Sequence, residues 1–414
     1  MNELKKIDRC RLCDSKNLVP IFSLGDQYVA TTFLKSLDEK KEHKKYALNL
    51  VICGPGANAG CGFVQLEHTL DRAMMFDTYW YRSGINQTMK DALSEIVSQL
   101  PLYVDLQPGD VVCDVGCNDG TLLSFYPKDL RRIGIDPAKN MAQFSTQHAN
   151  EIAVDYFSAQ AFQSVSSKKA KVVTSIAMFY SVIDPLNFAK SVSEILDEDG
   201  VWIMQMSSLP LMIKNRCYDN IVHEHIGYYT VEVIETFIRQ FGLYVVDGEV
   251  NDINAGSVRL YIKKKPGRAV KGLDHIRLSE TEVNYRDLSV YQDFTENVKK
   301  ETSILKDFLK DCNPDNTCFY GASTKGNVIL QYAGIGPQHA FGIAERNPLK
   351  YGHYTLGSDL KIVSEDEMRA RKPKNVIVLP YHFRHEMVQR EQSLLKQGSR
   401  MIFPLPNFEI VGSL

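Results

Sequence analysis

The densest group of titratable side chains in the sequence is a short run of two histidines, one glutamate and two tyrosines. His223, Glu224 and His225 are consecutive, and Tyr228 and Tyr229 follow closely. An imidazole can remove a proton near neutral pH, a carboxylate can orient it, and phenols can hydrogen-bond a substrate. In an extended chain the two histidines would share one face and the glutamate the other. The run predicts a catalytic loop, with a satisfied polar loop as the alternative.

A second aromatic segment contains Tyr79 and Tyr81, separated by a tryptophan and followed by Ser83. Either phenol could donate a hydrogen bond to an enolate oxygen, because a preorganised donor stabilises charge that develops during a reaction. Packing of both rings in the core is the alternative. The surrounding residues, 71–104, have a helical pattern that is interrupted near Gly84.

A glycine turn between a predicted strand and a predicted helix indicates a cofactor site. The apolar run 111–115 predicts a buried parallel strand, Gly116 and Gly120 predict a turn, and a helical pattern starts at Thr121. Backbone N–H groups at such a turn can approach a ligand where side chains are absent. A second apolar run ends in Asp136, which can hold the two hydroxyls of a ribose.

The glycine spacing resembles the S-adenosylmethionine (SAM) site of class I methyltransferases more than a nicotinamide site. The glycines are spaced G-x-x-x-G rather than G-x-G-x-x-G, and Asp114 precedes the first of them. A turn without a ligand is the alternative. The residues predicted to bind SAM lie on this turn and at the ends of the neighbouring strands: Asp114, Gly116, Cys117, Asn118, Gly120, Thr121, Leu122, Asp136, Pro137, Ala177 and Met178.

Four of the nine cysteines have spacings that suggest a metal site. Cys10 and Cys13 form a C-x2-C pair, and Cys53 and Cys61 follow about forty residues later. Four thiolates can close a tetrahedral zinc site, and the ion would stabilise a segment too small to fold alone. With no open position, the zinc would be structural. Free reduced cysteines are the alternative.

Composition excludes several functional classes. The 414 residues are 44% hydrophobic and 24% charged with a net charge of −2, which is typical of a globular protein and argues against a nucleic-acid binder. The sequence contains neither a signal-peptide core nor a long apolar stretch, so we expect a cytoplasmic protein without a membrane partner. We expect a monomer or homodimer that acts on a small molecule.

Strands that alternate with helices predict an α/β fold in three parts. After the SAM strands, runs at 171–178 and 201–206 predict further parallel strands, and 243–250 with 257–263 predict an antiparallel hairpin. In the last third, a charged, helical stretch at roughly 281–312 precedes a second pattern of strand, glycine turn and helix. The predicted domains are a zinc-binding domain at 1–70, a Rossmann-like class I methyltransferase domain at 71–262, and a second Rossmann-like α/β domain at 263–414.

The order of these parts resembles the sugar C-methyltransferases that act on nucleotide-linked 4-keto-deoxysugars. The resemblance rests on the four-cysteine segment, the His-Glu-His run and Gly-Ala-Ser-x-Lys-Gly-Asn at 321–327, and it covers essentially the whole chain. It implies a structural zinc, a nucleotide between the SAM domain and the C-terminal domain, and proton abstraction beside a ketone by His225. The residues predicted to bind substrate are the two phenols and matching positions of the later motifs: Tyr228, Tyr229, Arg259, Ser323, Lys325, Asn327, Glu345 and Lys350.

The chain departs from the family at three places. Ala177 and Ser181 occupy the positions of the usual Asn-x-x-x-His, Val222 replaces a tyrosine before His-Glu-His, and Asn254 and Ala255 replace His-Gly. These departures favour, as the alternative, a different small-molecule acceptor that is methylated at carbon, oxygen or nitrogen. A nicotinamide-dependent epimerase and a non-catalytic binding module are the remaining hypotheses.

Overall fold

The computed structural model describes residues 4–56, 60–267 and 272–412. The strands in chain order are β1 (Leu4–Lys6), β2 (Leu18–Gln27), β3 (Phe33–Leu34), β4 (Tyr46–Cys53), β5 (Val64–Leu66), β6 (His68–Leu70), β7 (Val111–Val115), β8 (Arg131–Ile135), β9 (Glu151–Ala153), β10 (Ala170–Ile176), β11 (Leu196–Ser207), β12 (Gly227–Tyr228), β13 (Tyr244–Asn251), β14 (Ser257–Lys263), β15 (Thr317–Tyr320), β16 (Ile343–Glu345), β17 (Tyr354–Thr355), β18 (Ile362–Ser364), β19 (Asn375–Val378), β20 (Arg400–Phe403) and β21 (Glu409–Val411).

The helices in chain order are α1 (Ala73–Phe76), α2 (Gln87–Ser98), α3 (Thr121–Phe125), α4 (Ala142–Ser145), α5 (Ala159–Gln163), α6 (Pro185–Ile195), α7 (Leu209–Lys214), α8 (Val231–Ile238), α9 (Leu273–Val283), α10 (Leu288–Lys310), α11 (Thr324–Ala333), α12 (Glu365–Arg371), α13 (Arg384–Arg390) and α14 (Gln392–Lys396). None of these described helices is both long and apolar enough to cross a membrane.

The central sheet has the strand order β13-β14-β11-β10-β7-β8-β9. β7 to β11 are parallel, and β14 runs antiparallel to both β11 and β13. This order confirms the predicted Rossmann-like sheet of the class I methyltransferases. From β7 the chain adds strands toward one edge of the sheet, and from β10 it adds them toward the other edge. This switch point leaves a crevice at the carboxyl ends of β7 and β10. That crevice positions the glycine turn beside the end of β10.

The C-terminal sheet repeats this architecture with the order β18-β16-β15-β19-β20-β21. β18, β16, β15, β19 and β20 are parallel, and β21 is antiparallel to β20. The order confirms the predicted second Rossmann-like α/β domain. Its reversal lies between β15 and β19, so the carboxyl ends of these two strands form a second crevice.

The N-terminal segment forms a small antiparallel sheet that is completed by a distant part of the chain. β2, β4 and β5 pair in that order, and β12 from the His-Glu-His loop pairs with β5. β3 pairs with β17 of the C-terminal part. The N-terminal segment therefore pairs with strands from both later parts of the chain, through β5 with β12 and through β3 with β17.

Two predicted helices are interrupted in the structure. Residues 281–312 were expected to be continuous, but Asn284 adopts a left-handed φ of 49° that ends α9. The Asp287 carboxylate then accepts a hydrogen bond from the Ser289 N–H and starts α10. In the 71–104 segment, the structure is helical only at α1, at α2 and at short 3-10 turns around them.

Candidate functional site

The loop after β7 is hydrogen-bonded to the carboxylate of Asp136, which directly follows β8. Asp136 Oδ2 accepts a hydrogen bond from the Asn118 backbone N–H at 2.8 Å, and its Oδ1 accepts one from the Ala138 N–H at 2.8 Å. Burial raises the pKa of the Asp136 carboxyl. The carboxylate lies next to the turn and keeps lone pairs for the paired hydroxyls of a ribose.

The turn itself depends on glycine. Gly116 has a φ of +73° and Gly120 a φ of +78°, which L side chains rarely adopt. A Cβ on Gly116 would lie 2.9 Å from Met178 Cγ, and one on Gly120 would lie 2.9 Å from Ser145 Cα. The residues present therefore fit a cofactor that lies against bare backbone, as SAM does in this fold.

The segment that carries the two predicted phenols is tied to this turn. The Asn118 side chain accepts a hydrogen bond from the Ser83 N–H at 3.0 Å and donates one to the Tyr81 carbonyl at 2.9 Å. Asn140 makes the equivalent pair with the N–H and carbonyl of Tyr79, at 2.9 and 2.8 Å. The segment therefore forms a wall of the cofactor site.

One cavity of about 660 Å³ joins the two crevices. Its lining includes these predicted SAM residues: Asp114, Gly116, Cys117, Asn118, Leu122, Asp136, Pro137, Ala177 and Met178. It also includes these predicted catalytic and substrate residues: Tyr79, Tyr81, Glu224, His225, Ser323, Lys325, Glu345 and Lys350. The cavity thus connects the SAM turn with the C-terminal domain.

Asp114 is an acidic group at the floor of the cofactor crevice. Its Oδ1 accepts a hydrogen bond from the Thr174 hydroxyl at 2.6 Å. Burial raises the pKa of Asp114 to about 7, and the Thr174 hydrogen bond partly offsets that effect. A buried acid of this kind favours a positively charged neighbour, and SAM carries both an ammonium and a sulfonium.

His225 is oriented by a backbone carbonyl. Its Nδ1 lies 2.8 Å from the Asn220 carbonyl oxygen, which can only accept, so the neutral ring carries its proton on Nδ1. Nε2 is left unprotonated, and the Tyr180 ring packs at 3.9 Å between centroids. Burial, followed by the charge of Lys325, lowers the pKa of His225 to about 3. The imidazole is therefore neutral and able to accept a proton.

Glu224 faces the same cavity as His225, contrary to the alternation expected for an extended chain. The His225 N–H bonds the Val222 carbonyl at 3.0 Å, so this segment is a turn rather than a strand. Burial raises the pKa of Glu224 to about 7, partly offset by the Thr324 hydroxyl. Its Oε2 is buried and has no hydrogen-bond partner among the described residues.

The C-terminal wall of the cavity carries several cations. Lys350 Nζ donates to the Ala322 carbonyl at 2.8 Å and lies 3.5 Å from Glu345. Arg346 contacts Glu386 at 3.2 Å. Arg390 contacts Glu365 at 2.8 Å. Each cation has at least one carboxylate neighbour, and Arg390 also lies 3.3 Å from Glu386 and 3.7 Å from Glu391. An anionic ligand would therefore compete for charges that are already ordered.

Five of the predicted catalytic and substrate-binding residues do not line the cavity. His223 Nε2 contacts the Tyr46 carbonyl at 3.1 Å, and the Tyr228 hydroxyl donates to the Asn220 carbonyl at 3.3 Å. Tyr229 packs against Phe63 with centroids 4.7 Å apart.

The other two of these residues, Arg259 and Asn327, also have internal partners. Arg259 bonds Gln205, Glu249 and Glu95. Asn327 donates to the Ala30 and Leu356 carbonyls. All five bind neighbouring protein groups and hold the walls together. Of the SAM set, Gly120 and Thr121 lie behind the turn rather than on the lining.

Several residues that line the cavity were not singled out from the sequence. They include Asn86, Tyr180, Tyr320, Thr324, His382 and Arg390. Tyr180 and His382 lie in the turns after β10 and β19, each four residues beyond the last residue of its strand, and these strands border the two crevices. The position of a residue just after a switch-point strand is the signal that could have identified both.

The four predicted metal ligands lie together. Their sulfur atoms are within 4.8 Å of one another, with Cys10 to Cys61 at 3.6 Å and Cys13 to Cys53 at 3.4 Å. Zinc–sulfur bonds of roughly 2.3 Å in a tetrahedron require sulfurs about 3.8 Å apart, so the cluster fits zinc. Gln65 Nε2 donates to Cys10 Sγ at 3.3 Å, which favours a thiolate.

Replacing Cys13 with serine is expected to abolish stoichiometric zinc and to lower the melting temperature by several degrees. Cys13 is exposed, so the change removes a ligand with little loss of packing. Metal analysis and calorimetry measure the two effects. Cys312→Ser, at a half-buried cysteine outside the cluster, is the control and should retain zinc. One zinc per chain in Cys13→Ser would contradict the four-thiolate site.

Three family models match consecutive parts of the chain. They are described as "Putative zinc binding domain" at residues 10–76, "Methyltransferase domain" at 85–247 and "C-methyltransferase C-terminal domain" at 252–406. The C-methyltransferase NovU of Streptomyces niveus is 24% identical over 423 residues, which cover 99% of this chain and 98% of that protein.

Solved structures of methyltransferases are similar to part of this chain. A SAM-dependent methyltransferase from Clostridium acetobutylicum is 14% identical with a TM-score of 0.33, over 42% of this chain and 90% of that chain. Magnesium protoporphyrin IX methyltransferase from Synechocystis, solved with bound SAM, is 13% identical with a TM-score of 0.32, over 42% and 78%.

Proposed function

We propose that this member of the SAM-dependent C-methyltransferases methylates a carbon of a nucleotide-linked 4-keto-deoxysugar. The premise is the family's combination of a zinc-binding, a methyltransferase and a C-terminal domain. The observation that carries the proposal is the single cavity lined by the SAM turn, by His225 and by the turn after β15. SAM on one side of this cavity and an elongated acceptor on the other could both reach His225.

The C-terminal wall supports a nucleotide diphosphate as the handle of the acceptor. Arg346, Lys350 and Arg390 line the cavity, and Arg side chains can bind phosphate oxygens in pairs. Glu345, at the end of β16, has the position that Asp136 has at the end of β8. Its Oε1 accepts hydrogen bonds from two backbone N–H groups, which leaves Oε2 for Lys350 and a ligand hydroxyl.

SAM, when bound, supplies an electrophilic methyl group whose bond to sulfur breaks as the new bond to carbon forms. Asp136, Asp114 and the bare backbone at Gly116 would hold it. The protein must hold both reactants in line, which can account for roughly 7–11 kcal/mol of the barrier. The chain must also produce a carbon nucleophile.

His225 is the proposed base. Its Nε2 takes the proton from the carbon beside the ketone, and the electron pair of that C–H bond moves to form the enolate, whose oxygen becomes negative. Nδ1 keeps its proton and its hydrogen bond to the Asn220 carbonyl throughout. Glu224 would orient a substrate hydroxyl, and Tyr79 or Tyr81 would donate to the enolate oxygen.

The low pKa of His225 makes strong enolate stabilisation necessary. A base whose pKa is about 3 holds a proton weakly. An anionic substrate and an ionised Glu224 would raise that pKa in the complex, because nearby negative charge favours the imidazolium. Hydrogen-bond donors and a cation at the enolate oxygen would lower the same barrier by stabilising the enolate.

A different acceptor is the second candidate. Ser181 lines the cavity where the family has a histidine, and Val222 is 1% exposed in the core where the family has a tyrosine. The site therefore offers fewer titratable groups at those two positions. Methylation at oxygen or nitrogen would need a base but no enolate stabilisation.

Incubation with methyl-labelled SAM and a panel of nucleotide sugars separates these functions. The proposal expects label in a nucleotide-linked keto sugar. Label only in another small molecule would favour the second candidate. Hydride chemistry or no transfer would contradict a methyltransferase acting on this class.

The pH dependence of kcat at saturating SAM is expected to follow Glu224 rather than His225. The raised pKa of Glu224, about 7, means that the carboxylate loses its charge as pH falls through neutrality, whereas His225 stays neutral far below that. Glu224→Gln should therefore reduce kcat and flatten the acid limb between about pH 6 and pH 8. An unchanged limb in Glu224→Gln would contradict this assignment.

A further inference from the structure

His382 lies at the second crevice of the molecule. It follows β19 and therefore faces the turn after β15 across the switch point of the C-terminal sheet. A Cβ on Gly321 of that turn would lie 2.5 Å from Pro380 Cδ, so the two turns are in direct contact. The Tyr381 hydroxyl donates to Asp219 Oδ1 at 2.9 Å and anchors the His382 turn to the segment before His225.

The imidazole of His382 has no internal role that would explain its polarity. Its ring lines the cavity, and Nδ1 is wholly buried without a hydrogen-bond partner in the described part of the chain. Nε2 makes no hydrogen bond to a described residue either. An unpaired buried polar group is costly, which indicates a partner that the protein alone does not supply.

A cation lies close to this imidazole. Lys325, His225 and His382 line the same cavity. After burial, the charge of Lys325 is the next cause that lowers the pKa of both imidazoles. Burial also lowers the pKa of Lys325 itself, partly offset by the Asp219 carboxylate. Lys325 Nζ donates to the Asn254 carbonyl at 3.2 Å and has no ion pair within the described residues, so donor capacity remains for a ligand. Asn254 also lines the cavity, with a left-handed φ of 57°.

The two histidines of the cavity have opposite tautomers. A buried N–H without an acceptor is rarer than an unpaired lone pair, so the proton of neutral His382 belongs on Nε2 rather than on the buried Nδ1. His225 carries its proton on Nδ1. His225 thus presents a lone pair to the cavity, and His382 presents a donor.

We infer that His382 contacts the acceptor directly and, together with Lys325, binds the carbonyl oxygen that becomes the enolate oxygen. The inference rests on the proposed function. His225 Nε2 receives the proton from carbon, the C–H electron pair forms the C–C double bond, and the carbonyl electron pair moves to oxygen. His382 Nε2–H and the Lys325 ammonium donate to that oxygen and keep their protons.

Hydrogen exchange in D2O tests the inference separately from methyl transfer. The enzyme is loaded with S-adenosylhomocysteine, and a panel of nucleotide-linked 4-keto-6-deoxyhexoses is followed by NMR for loss of the hydrogen beside the ketone. His382→Ala is expected to slow exchange by roughly 10²–10³-fold with SAM affinity retained. His382→Gln, which keeps an N–H at a similar reach, should recover part of the rate. His385→Ala, at an exposed histidine on α13 outside the cavity, should match the wild type.

The outcomes are distinguishable. If the wild type exchanges a probe, and both His382→Ala and His382→Gln exchange it as fast as the wild type does, the inference is wrong and the proposed function stands. If the wild type exchanges no keto sugar, both are overturned. Non-additive effects of His382→Ala and Lys325→Gln would support a shared oxygen, and additive effects would contradict it.

Discussion

Replacing His225 with asparagine is expected to lower kcat for methyl transfer by about 10²–10⁴-fold, the usual contribution of a general base. Asparagine can still donate to the Asn220 carbonyl, as Nδ1 does at 2.8 Å, so the loop should keep its shape. It cannot accept a proton at the position of Nε2. SAM affinity, measured by calorimetry, should be nearly unchanged, because Asp136 and the Gly116 turn are untouched.

His223→Asn provides the matched comparison within the same loop. His223 is also buried, but its Nε2 contacts the Tyr46 carbonyl of the N-terminal sheet. We expect this change to lower the melting temperature more than it lowers kcat. If the two substitutions had equal effects on kcat, the loop as a whole rather than the His225 lone pair would be responsible.

Replacing Asp136 with alanine is expected to weaken SAM binding by about 10²–10⁴-fold in Kd. Hydrogen bonds to a charged group contribute roughly 1.5–3 kcal/mol each, and the carboxylate is expected to hold two ribose hydroxyls. The change also removes the acceptors for the N–H groups of Asn118 and Ala138, so the turn loses part of its order. Calorimetric titration with SAM measures the effect.

Asp129→Ala is the control for this substitution. Asp129 is an exposed acid in the same domain and does not line the cavity. Its removal changes the net charge equally and should leave the Kd for SAM within a factor of about two. Near-wild-type SAM binding by Asp136→Ala would place the cofactor elsewhere than over the Gly116 turn.

The strand, glycine turn and helix around Gly116 could be predicted from the sequence because their signals are local. The strand Val111–Val115 has the predicted bounds, and α3 begins at Thr121 as predicted. Asp136 directly follows β8, at the edge where parallel strands end. Each feature depends on an apolar run, a glycine or an acidic residue within a few positions of the sequence. Tertiary packing then only brings the carboxyl ends of the parallel strands to one edge of the sheet.

The His-Glu-His loop was harder to predict because distant groups set the direction of its side chains. Two-residue alternation assigned Glu224 and His225 to opposite faces, yet the turn closed by Val222 and His225 brings both to the cavity. His223 points to the Tyr46 carbonyl, 177 residues earlier in the chain. No local pattern encodes that contact.

His382 was not identified from the sequence, although its position in the turn after β19 is a signal that could have pointed to it. His382 is a single polar residue in the turn after an ordinary strand. Its place in the site can be recognised only once the structure shows that the two switch-point crevices face each other across one cavity. The break between α9 and α10 was missed because a single residue causes it. Asn284 in a left-handed conformation ends α9 within a stretch whose apolar pattern continues.

Product analysis with carbon-13 methyl-labelled SAM and a uniformly carbon-13-labelled nucleotide-linked keto sugar tests the central claim most directly. The account predicts that the new methyl resonance shows one-bond carbon–carbon coupling to the ring carbon beside the ketone, and that this signal grows about 10²–10⁴-fold more slowly with His225→Asn. A transferred methyl without that coupling, bonded to oxygen or nitrogen, would contradict the account.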